Sequence, residues 1–329
     1  MEYFESSTRV GDFFKRYMIP KITNSKQLKS LFKIDSQQEI NEFVENNNQV
    51  YVKNKKNGEI RYISSPSNHL KTIQKWIVEN ILCHKNCSDF AHAYTKEKSI
   101  FTNAKQHIGN NTLLKMDINN FFDSISVNMV KDIFISLGYT SNVSDDLANL
   151  CTYYGYVRQG FVSSPMISNI ILTSFDLELN ELLTKRENSD YGFKYTRYSD
   201  DITISSRLLN SNSKMKEIIG YVSSLLDKSG FKVNQSKTKI INGSGPKIVT
   251  GIIVKRSTIS VPNKFKKHLL KELYFCEKFG VQSHLIYTGK FGKINYVEHL
   301  EGIANFIKNT DVDFYNNIMN RINELNIDY

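Results

Sequence analysis

The stretch Lys194-Tyr195-Thr196-Arg197-Tyr198-Ser199-Asp200-Asp201-Ile202-Thr203-Ile204-Ser205 decides how this chain is read. Side chains alternate on both sides of a paired-acid centre, which is the pattern of two strands meeting at a turn. Two adjacent carboxylates in a half-buried run repel each other and lose hydration, a cost that a bound cation removes. Hard divalent ions such as Mg²⁺ take oxygen ligands and keep positions open for water and phosphate. A third acid, Asp117, stands near the end of the short apolar run Leu113-Leu114-Lys115-Met116-Asp117-Ile118. Asp117, Asp200 and Asp201 together would complete a site for two metal ions, suited to in-line displacement at phosphorus.

The tripeptide Ser-Asp-Asp occurs a second time, as Ser144-Asp145-Asp146 ahead of Leu147-Ala148-Asn149-Leu150. Helical spacing there predicts Ser144 as an N-cap, with both acids at the favourable end of the helix dipole. The tripeptide alone is therefore weak, and its setting between strands singles out the copy at 199–201.

The chain has 329 residues, 40% of them hydrophobic, enough for a sizeable core and for two or three lobes. Its formal charge of +10 points to an anionic partner. A membrane surface is an alternative, yet no apolar run approaches the roughly 18 residues of a spanning helix. The opening Met1-Glu2-Tyr3-Phe4-Glu5 lacks the plan of a secretory signal, so a soluble, cytoplasmic, membrane-free protein is expected. Cys83, His84, Cys87 and His92 resemble part of a zinc site without a second cysteine pair; reduced thiols are the expectation for Cys83, Cys87, Cys151 and Cys276.

Positive charge concentrates between Gly251 and Lys293. Nine basic residues there, Lys255, Arg256, Lys264, Lys266, Lys267, Lys271, Lys278, Lys290 and Lys293, face only Glu272 and Glu277. Tyr274, Phe275, Phe279, Tyr287 and Phe291 interleave with them, the footprint of a strand-binding surface. A solvated helix face with core aromatics would read the same way residue by residue.

Residues 1–49 read as helical. Val50-Tyr51-Val52 and Ile60-Arg61-Tyr62-Ile63 predict a hairpin around Asn57-Gly58. A helix follows Pro66, with Leu70, Ile73, Trp76, Ile77 and Ile81 on one face, and another starts at Ser163-Ser164-Pro165. Val249-Thr250-Gly251-Ile252-Ile253-Val254 reads as one strand, and a helical lobe opens at Pro262. Strands and helices mix without strict alternation, so the fold class is α+β.

These residues carry a resemblance. Tyr198-Ser199-Asp200-Asp201 resembles the Tyr-x-Asp-Asp box of reverse transcriptases, and Asp117-Ile118-Asn119-Asn120-Phe121-Phe122 resembles their first catalytic motif. Arg158-Gln159-Gly160 with Ser164-Pro165 is similar to the Gln-Gly…Ser-Pro box beneath the incoming nucleotide. Gly58-Glu59-Ile60-Arg61-Tyr62-Ile63 with Pro66 resembles a fingers motif, and Asn234 with Ser236-Lys237-Thr238 a later palm motif. The boxes run in the family's order over roughly residues 50–255. Asn103-Ala104-Lys105-Gln106-His107 and Val249-Thr250-Gly251 resemble two short signatures of the retron enzymes. Ser199 departs from the alanine that many relatives carry, a change of small size.

The resemblance implies a right-hand polymerase with fingers, an antiparallel palm and a helical thumb. Its divisions here are an N-terminal helical extension (1–49), fingers (50–112 and 127–160), palm (113–126 and 161–254) and an RNA-binding thumb (255–329). It implies catalysis by Asp117, Asp200 and Asp201 with two Mg²⁺ ions, and Lys237 as proton donor to pyrophosphate. The dNTP would meet Lys55, Arg61, Gln159, Tyr198 and Phe122, the last barring a ribose 2′-OH. Phe121 is then core, although a one-residue slip would exchange the two rings, and Lys55 could equally be an exposed turn lysine. RNA would meet Asn103, His107, Gly251, Lys264, Lys266, Lys267 and Lys271; for His107 a packed or capping role is the alternative. A retron enzyme would copy its own structured non-coding RNA from an internal 2′-OH into branched RNA–DNA (msDNA). Host RNase H would remove the template, and an accessory effector protein and an antiphage role would fit. The competing readings are an intron-like or abortive-infection reverse transcriptase, and an idle RNA-binding scaffold.

Overall fold

A computed structural model describes residues 3–4, 19–54, 58, 60–209, 211–243, 245–290 and 295–325. The chain opens on a short ladder between β1 (Tyr3–Phe4) and β2 (Ile19–Pro20), then α1 (Ser25–Phe32) and α2 (Ile40–Asn46). Asn24 caps α1 by accepting from the Gln27 amide. The helical reading of 1–49 thus describes α1 and α2 but misses the ladder.

Strands β3 (Asn48–Asn54) and β4 (Ile60–Pro66) form the first expected hairpin, paired out to Asn54 and Ile60. Lys55 and Asn57, in its connection, lie outside the described residues. Helix α3 (Asn68–Asn80) starts where Ser67 accepts from the Leu70 amide, and it buries Leu70, Ile73 and Ile77 as its spacing predicts. The short α4 (Ile100–Lys105) carries a capping box between Ser99 and Thr102.

The centre of the molecule is a four-stranded antiparallel sheet. It comprises β5 (Thr112–Asp117) and, beyond α5 (Val127–Ser136), α6 (Ser141–Leu150), α7 (Ser164–Ile171) and α8 (Thr173–Thr184), β6 (Lys194–Tyr198) and β7 (Asp201–Ser206). Helix α9 (Asn212–Lys228) and edge strand β8 (Lys239–Ile241) complete it, in the order β6-β7-β5-β8. The period of two sends Leu114, Met116, Tyr195, Arg197, Ile202 and Ile204 to one face, in the main core with α8 and α9. Asp117, Asp201 and Tyr198 fall on the other face.

Residues 249–254 are two strands, not one. β9 (Lys247–Val249) and β10 (Ile252–Val254) pair antiparallel, with Val249 opposite Ile252. Thr250 and Gly251 between them take φ of 45° and 82°, the left-handed geometry of a two-residue hairpin turn. With β11 (Ile259–Ser260) and helices α10 (Asn263–Phe279), α11 (Val281–Tyr287), α12 (Tyr296–Lys308) and α13 (Val312–Asn323) they share a second core. Val249, Ile252 and Val254, read as palm, thus pack with the thumb helices. Phe101, Ala104 and Leu113 join this core from α4 and β5, tying the two lobes together.

Candidate active site

Cross-strand register brings the acids together. Asp117 on β5 pairs with Asp201 on β7, which pairs with Tyr198 on β6. Ser199 and Asp200 form the two-residue turn, with Ser199 at φ 60°, a backbone state that favours glycine. The Asp200 carbonyl accepts from the Ile118 amide at 3.0 Å, fastening the turn to the end of β5.

Burial is the first cause pushing the Asp200 carboxyl above the usual range, and its neighbours Asp201 and Asp117 push it further. Asp201 is likewise raised by burial and by Asp117, while Lys115 and Lys237 pull it down. These are the marks of an under-neutralised acidic cluster. Lys237 Nζ reaches both Asp117 oxygens, at 3.0 and 2.8 Å, although its side chain is 59% exposed. Among the described residues no three carboxylate, imidazole or thiol groups are gathered tightly enough to hold one ion. The donor set nevertheless suits a hard divalent cation: oxygen ligands only, with excess negative charge. Lys237 supplies the positive charge at Asp117.

The support beneath the turn was missed in the sequence. Arg197 is fully buried and bonds Asp176 of α8 through Nε at 2.9 Å and Nη2 at 2.8 Å. Its Nη1 donates to the Ser199 carbonyl and to Asn169 Oδ1, both at 3.1 Å. Asn169 in turn donates to the Ala93 carbonyl, and Tyr195 donates to Asp176. The available signal was Arg197 itself, an arginine on the core-facing side of the alternation, which requires a buried acid.

Phe121 is 4% exposed and packs on Phe231, whereas Phe122 is half-buried beside it. The Ser64 amide donates to the Gln159 carbonyl at 2.8 Å, so the fingers hairpin rests on the Gln-Gly box. Gly160 has φ 107°, and a Cβ there would collide with the Ser64 carbonyl oxygen. Arg158 pairs with Asp123 at 2.7 Å, joining that box to the turn after Asp117. Arg61 sits exposed on β4, opposite Lys53.

Two expected RNA contacts are corrected. His107 is 1% exposed, with Nδ1 2.7 Å from Ser205 Oγ and Nε2 2.8 Å from Thr196 Oγ1. Burial pushes its imidazole down to about 3, so the ring is neutral. Asn103, equally buried, donates to Thr250 Oγ1, and that hydroxyl donates to the Ile100 carbonyl. The two short signatures thus meet: α4 braces the left-handed turn at Thr250–Gly251. Neither Asn103 nor His107 presents an atom to RNA; Gly251 is exposed.

Lys266 is also corrected as a free cation. It pairs with Asp311, the N-cap of α13, and stands over the Phe314 ring. Lys264, Lys267, Lys271, Tyr274 and Lys278 are exposed at helical spacing along one face of α10. Glu272 faces inward: burial opposes its charge, but bonds from Tyr296, His284 and Lys290 hold its carboxyl down to about 2. Phe291 and Lys293 lie outside the described residues. The second Ser-Asp-Asp differs from its reading too. Ser144 lies inside α6, whose N-cap is Thr140, and its hydroxyl is buried without a partner. Asp145 pairs with Lys131 of α5 at 2.7 Å. Cys83 donates to the Glu79 carbonyl, Cys87 lies 3.8 Å from Met166 Sδ, and His92 meets Thr102.

An antiparallel palm whose turn presents paired acids opposite a third, under a fingers hairpin and beside a helical lobe, defines a right-hand nucleic-acid polymerase. Residues 52–266 match the family model described as reverse transcriptase (RNA-dependent DNA polymerase). The chain belongs to that family, in its retron-type branch, and is an RNA-directed DNA polymerase. It is 30% identical over 282 residues to the retron Ec86 reverse transcriptase of Escherichia coli, covering 85% of this chain and 82% of that one. It is 28% identical to the retron Ec83 enzyme of the same organism, covering 81% and 84%. Among solved structures, apo telomerase from Candida tropicalis superposes with a TM-score of 0.50 at 14% identity, a likeness of fold alone. That match covers 92% of this chain and 62% of the telomerase chain.

Proposed function

We propose that this polymerase copies a structured non-coding RNA into DNA, beginning from an internal 2′-OH of that RNA and yielding branched RNA–DNA. The observation that carries the chemistry is the pairing of Asp117 with Asp201 beside the Asp200 turn. Asp117, Asp200 and Asp201 would hold two Mg²⁺ ions, which supply charge neutralisation at phosphorus and sharpen the attacking hydroxyl. Lys237, which reaches Asp117, would protonate the departing pyrophosphate. Arg61, with Lys55, would bind the triphosphate; Gln159, Tyr198 and Phe122 would line the base and sugar, with Phe122 rejecting a ribose.

Self-priming requires RNA held so that one hydroxyl among many reaches the acids, since a misplacement of about 1 Å can cost on the order of 100-fold. The α10 face of Lys264, Lys267, Lys271, Tyr274 and Lys278 offers cations for phosphates and an aromatic ring between them. The α4 brace on the Thr250–Gly251 turn would set that face relative to the palm. Template removal by host RNase H, an accessory effector protein, a bacterial cytoplasmic setting and antiphage defence belong to the same reading; among the described residues no helix is long and apolar enough to cross a membrane.

The test is incubation of the purified protein with its cognate RNA, dNTPs and Mg²⁺. DNA that stays joined to RNA on a denaturing gel, and keeps a branched nucleotide after ribonuclease, is expected. A DNA 5′ end free of any such remnant would refute branched priming and leave the polymerase standing. RNA affinity should weaken steeply with salt, and less steeply once Lys267 and Lys271 are both changed to Gln.

A further inference from the structure

The palm face that carries the acids continues into a second rank of side chains. Two residues back along each strand stand Thr196 on β6, Thr203 on β7, Lys115 on β5 and Lys239 on β8. Lys115 and Lys239 are direct cross-strand partners. Like charges directly opposite each other destabilise a sheet, so the pairing asks for an anion. Neither ammonium has a hydrogen bond or ion pair among the described residues; Lys115 only feels Asp201 at a distance. Lys239 is exposed and Lys115 half-exposed. Thr196 and Thr203 beside them are buried and uncharged. Lys237, in the single 3-10 turn just before β8, reaches Asp117 with its side chain, and two residues on Lys239 pairs with Lys115.

The direction of this rank matters. From Asp117 through Lys115 to Leu113, β5 runs toward the second core, where Leu113 packs with Val249 and Ile252 at the base of the thumb. A strand whose 3′ end lies at the acids and whose body runs toward that base would pass over the open, lysine side of the second rank; on its other side Thr196 is covered by His107. Two strand residues span about 6.6 Å, so the rank lies within a nucleotide or two of the reacting end. We propose that Lys115 and Lys239 form a two-lysine seat for one backbone phosphate of the primer strand, just upstream of its 3′ terminus. This rests on the polymerase reading above and adds to it a site for a phosphodiester.

The experiment uses the full chain and a DNA primer annealed to an RNA or DNA template, with one primer phosphate at a time replaced by a neutral methylphosphonate. Binding is read by fluorescence anisotropy, and extension by the unmodified enzyme is run in parallel. The native protein should lose severalfold in affinity when one of the first three linkages from the 3′ end is neutral. Lys115→Met/Lys239→Met, which keeps the apolar stems, should bind more weakly and become indifferent to that linkage. On a duplex DNA probe its log–log salt slope should be smaller by about 0.9, the share of one phosphate. Its Tm should be equal or higher, because a repulsion is removed. A double variant as sensitive to the neutral linkage as the native protein, or one of unchanged affinity, would overturn the seat. Failure of the unmodified enzyme to extend the primer would instead sink the polymerase reading, whatever the binding data show.

Discussion

Ser-Asp-Asp is written twice in this chain and does opposite work in its two places. In α6 the acids face outward to neighbouring helices: Asp145 meets Lys131 with both oxygens at 2.7 and 2.8 Å. Asp146, half-buried, is raised mainly by burial and eased by the Ser25 hydroxyl. In the palm turn both acids are buried further, and each is raised by another acid across the sheet. In α6 Lys131 pairs with Asp145, and Lys29 lowers Asp146 against the push of Asp145 and Glu39; the turn sets three acids together.

The sharpest way to break this comparison is to neutralise one acid in each copy. Asp200→Asn should cut primer extension by about 10²–10⁴, the equivalent of the several kcal/mol that metal-bound charge stabilisation supplies. The same change should leave the thermal midpoint equal or higher at pH 7. The sign follows from the direction of the shift: a carboxyl raised by folding favours the fold at low pH and loses that contribution as pH rises through its folded value. Any gain from Asp200→Asn should therefore shrink as pH falls through the raised folded value, and be gone once pH is well below about 4, where the carboxyl is protonated in both states. Full extension activity in Asp200→Asn would remove the distinction between the two copies.

Arg197 tests the turn from below. Arg197→Met strands Asp176 in the core and should cost about 3–5 kcal/mol, read by denaturant unfolding. Arg197→Met/Asp176→Leu should recover much of that stability. It cannot restore the bond to the Ser199 carbonyl, so extension should stay depressed. Recovery of both together would show that the guanidinium does not position the turn.

Phe121 and Phe122 are a second case of identical residues separated by setting. Phe121→Ala should destabilise by about 3–5 kcal/mol as a core truncation. Phe122→Ala should cost less and should admit rNTPs measurably better. Relaxed sugar choice in Phe121→Ala instead would mean the gate belongs to the buried ring. The smallest effect is expected at Asp145→Asn, about 0–1 kcal/mol for a partly exposed ion pair, with extension unchanged.

Local patterns carried much of this structure. Alternation located the hairpin at 194–205, and apolar spacing located α3, because both signals reside in neighbouring residues. Asn103, His107 and Lys266 were misplaced because their partners, Thr250, Thr196 with Ser205, and Asp311, lie 147, 89 and 98, and 45 positions away. Polar residues look alike in sequence whether they face solvent or a distant hydroxyl. The split of 249–254 into two strands was hidden for a different reason: Thr250 is β-branched and ill suited to φ 45°, so its side chain argued for a strand. Two hydrogen bonds through the Thr250 hydroxyl join that turn to α4. Ser144 was misjudged by one helical turn, since α6 begins earlier, at Ser141.

The Arg197–Asp176 pair has one more consequence, for the assembly of the sheet. Strand β6 is five residues long and flanked by polar residues on its catalytic face, so its hydrophobic pattern alone discriminates weakly between neighbouring registers. Sliding β6 by one residue would swing Arg197 to the catalytic side and leave Asp176 facing Thr196 or Tyr198, a charge sealed in the core without its counter-ion. The penalty for that error is several kcal/mol, comparable to the stability of a whole domain. The buried arginine thus acts as a proofreader of strand alignment: a chain in which Arg197 meets Asp176 has Tyr198 opposite Asp201 and Asp200 in the turn.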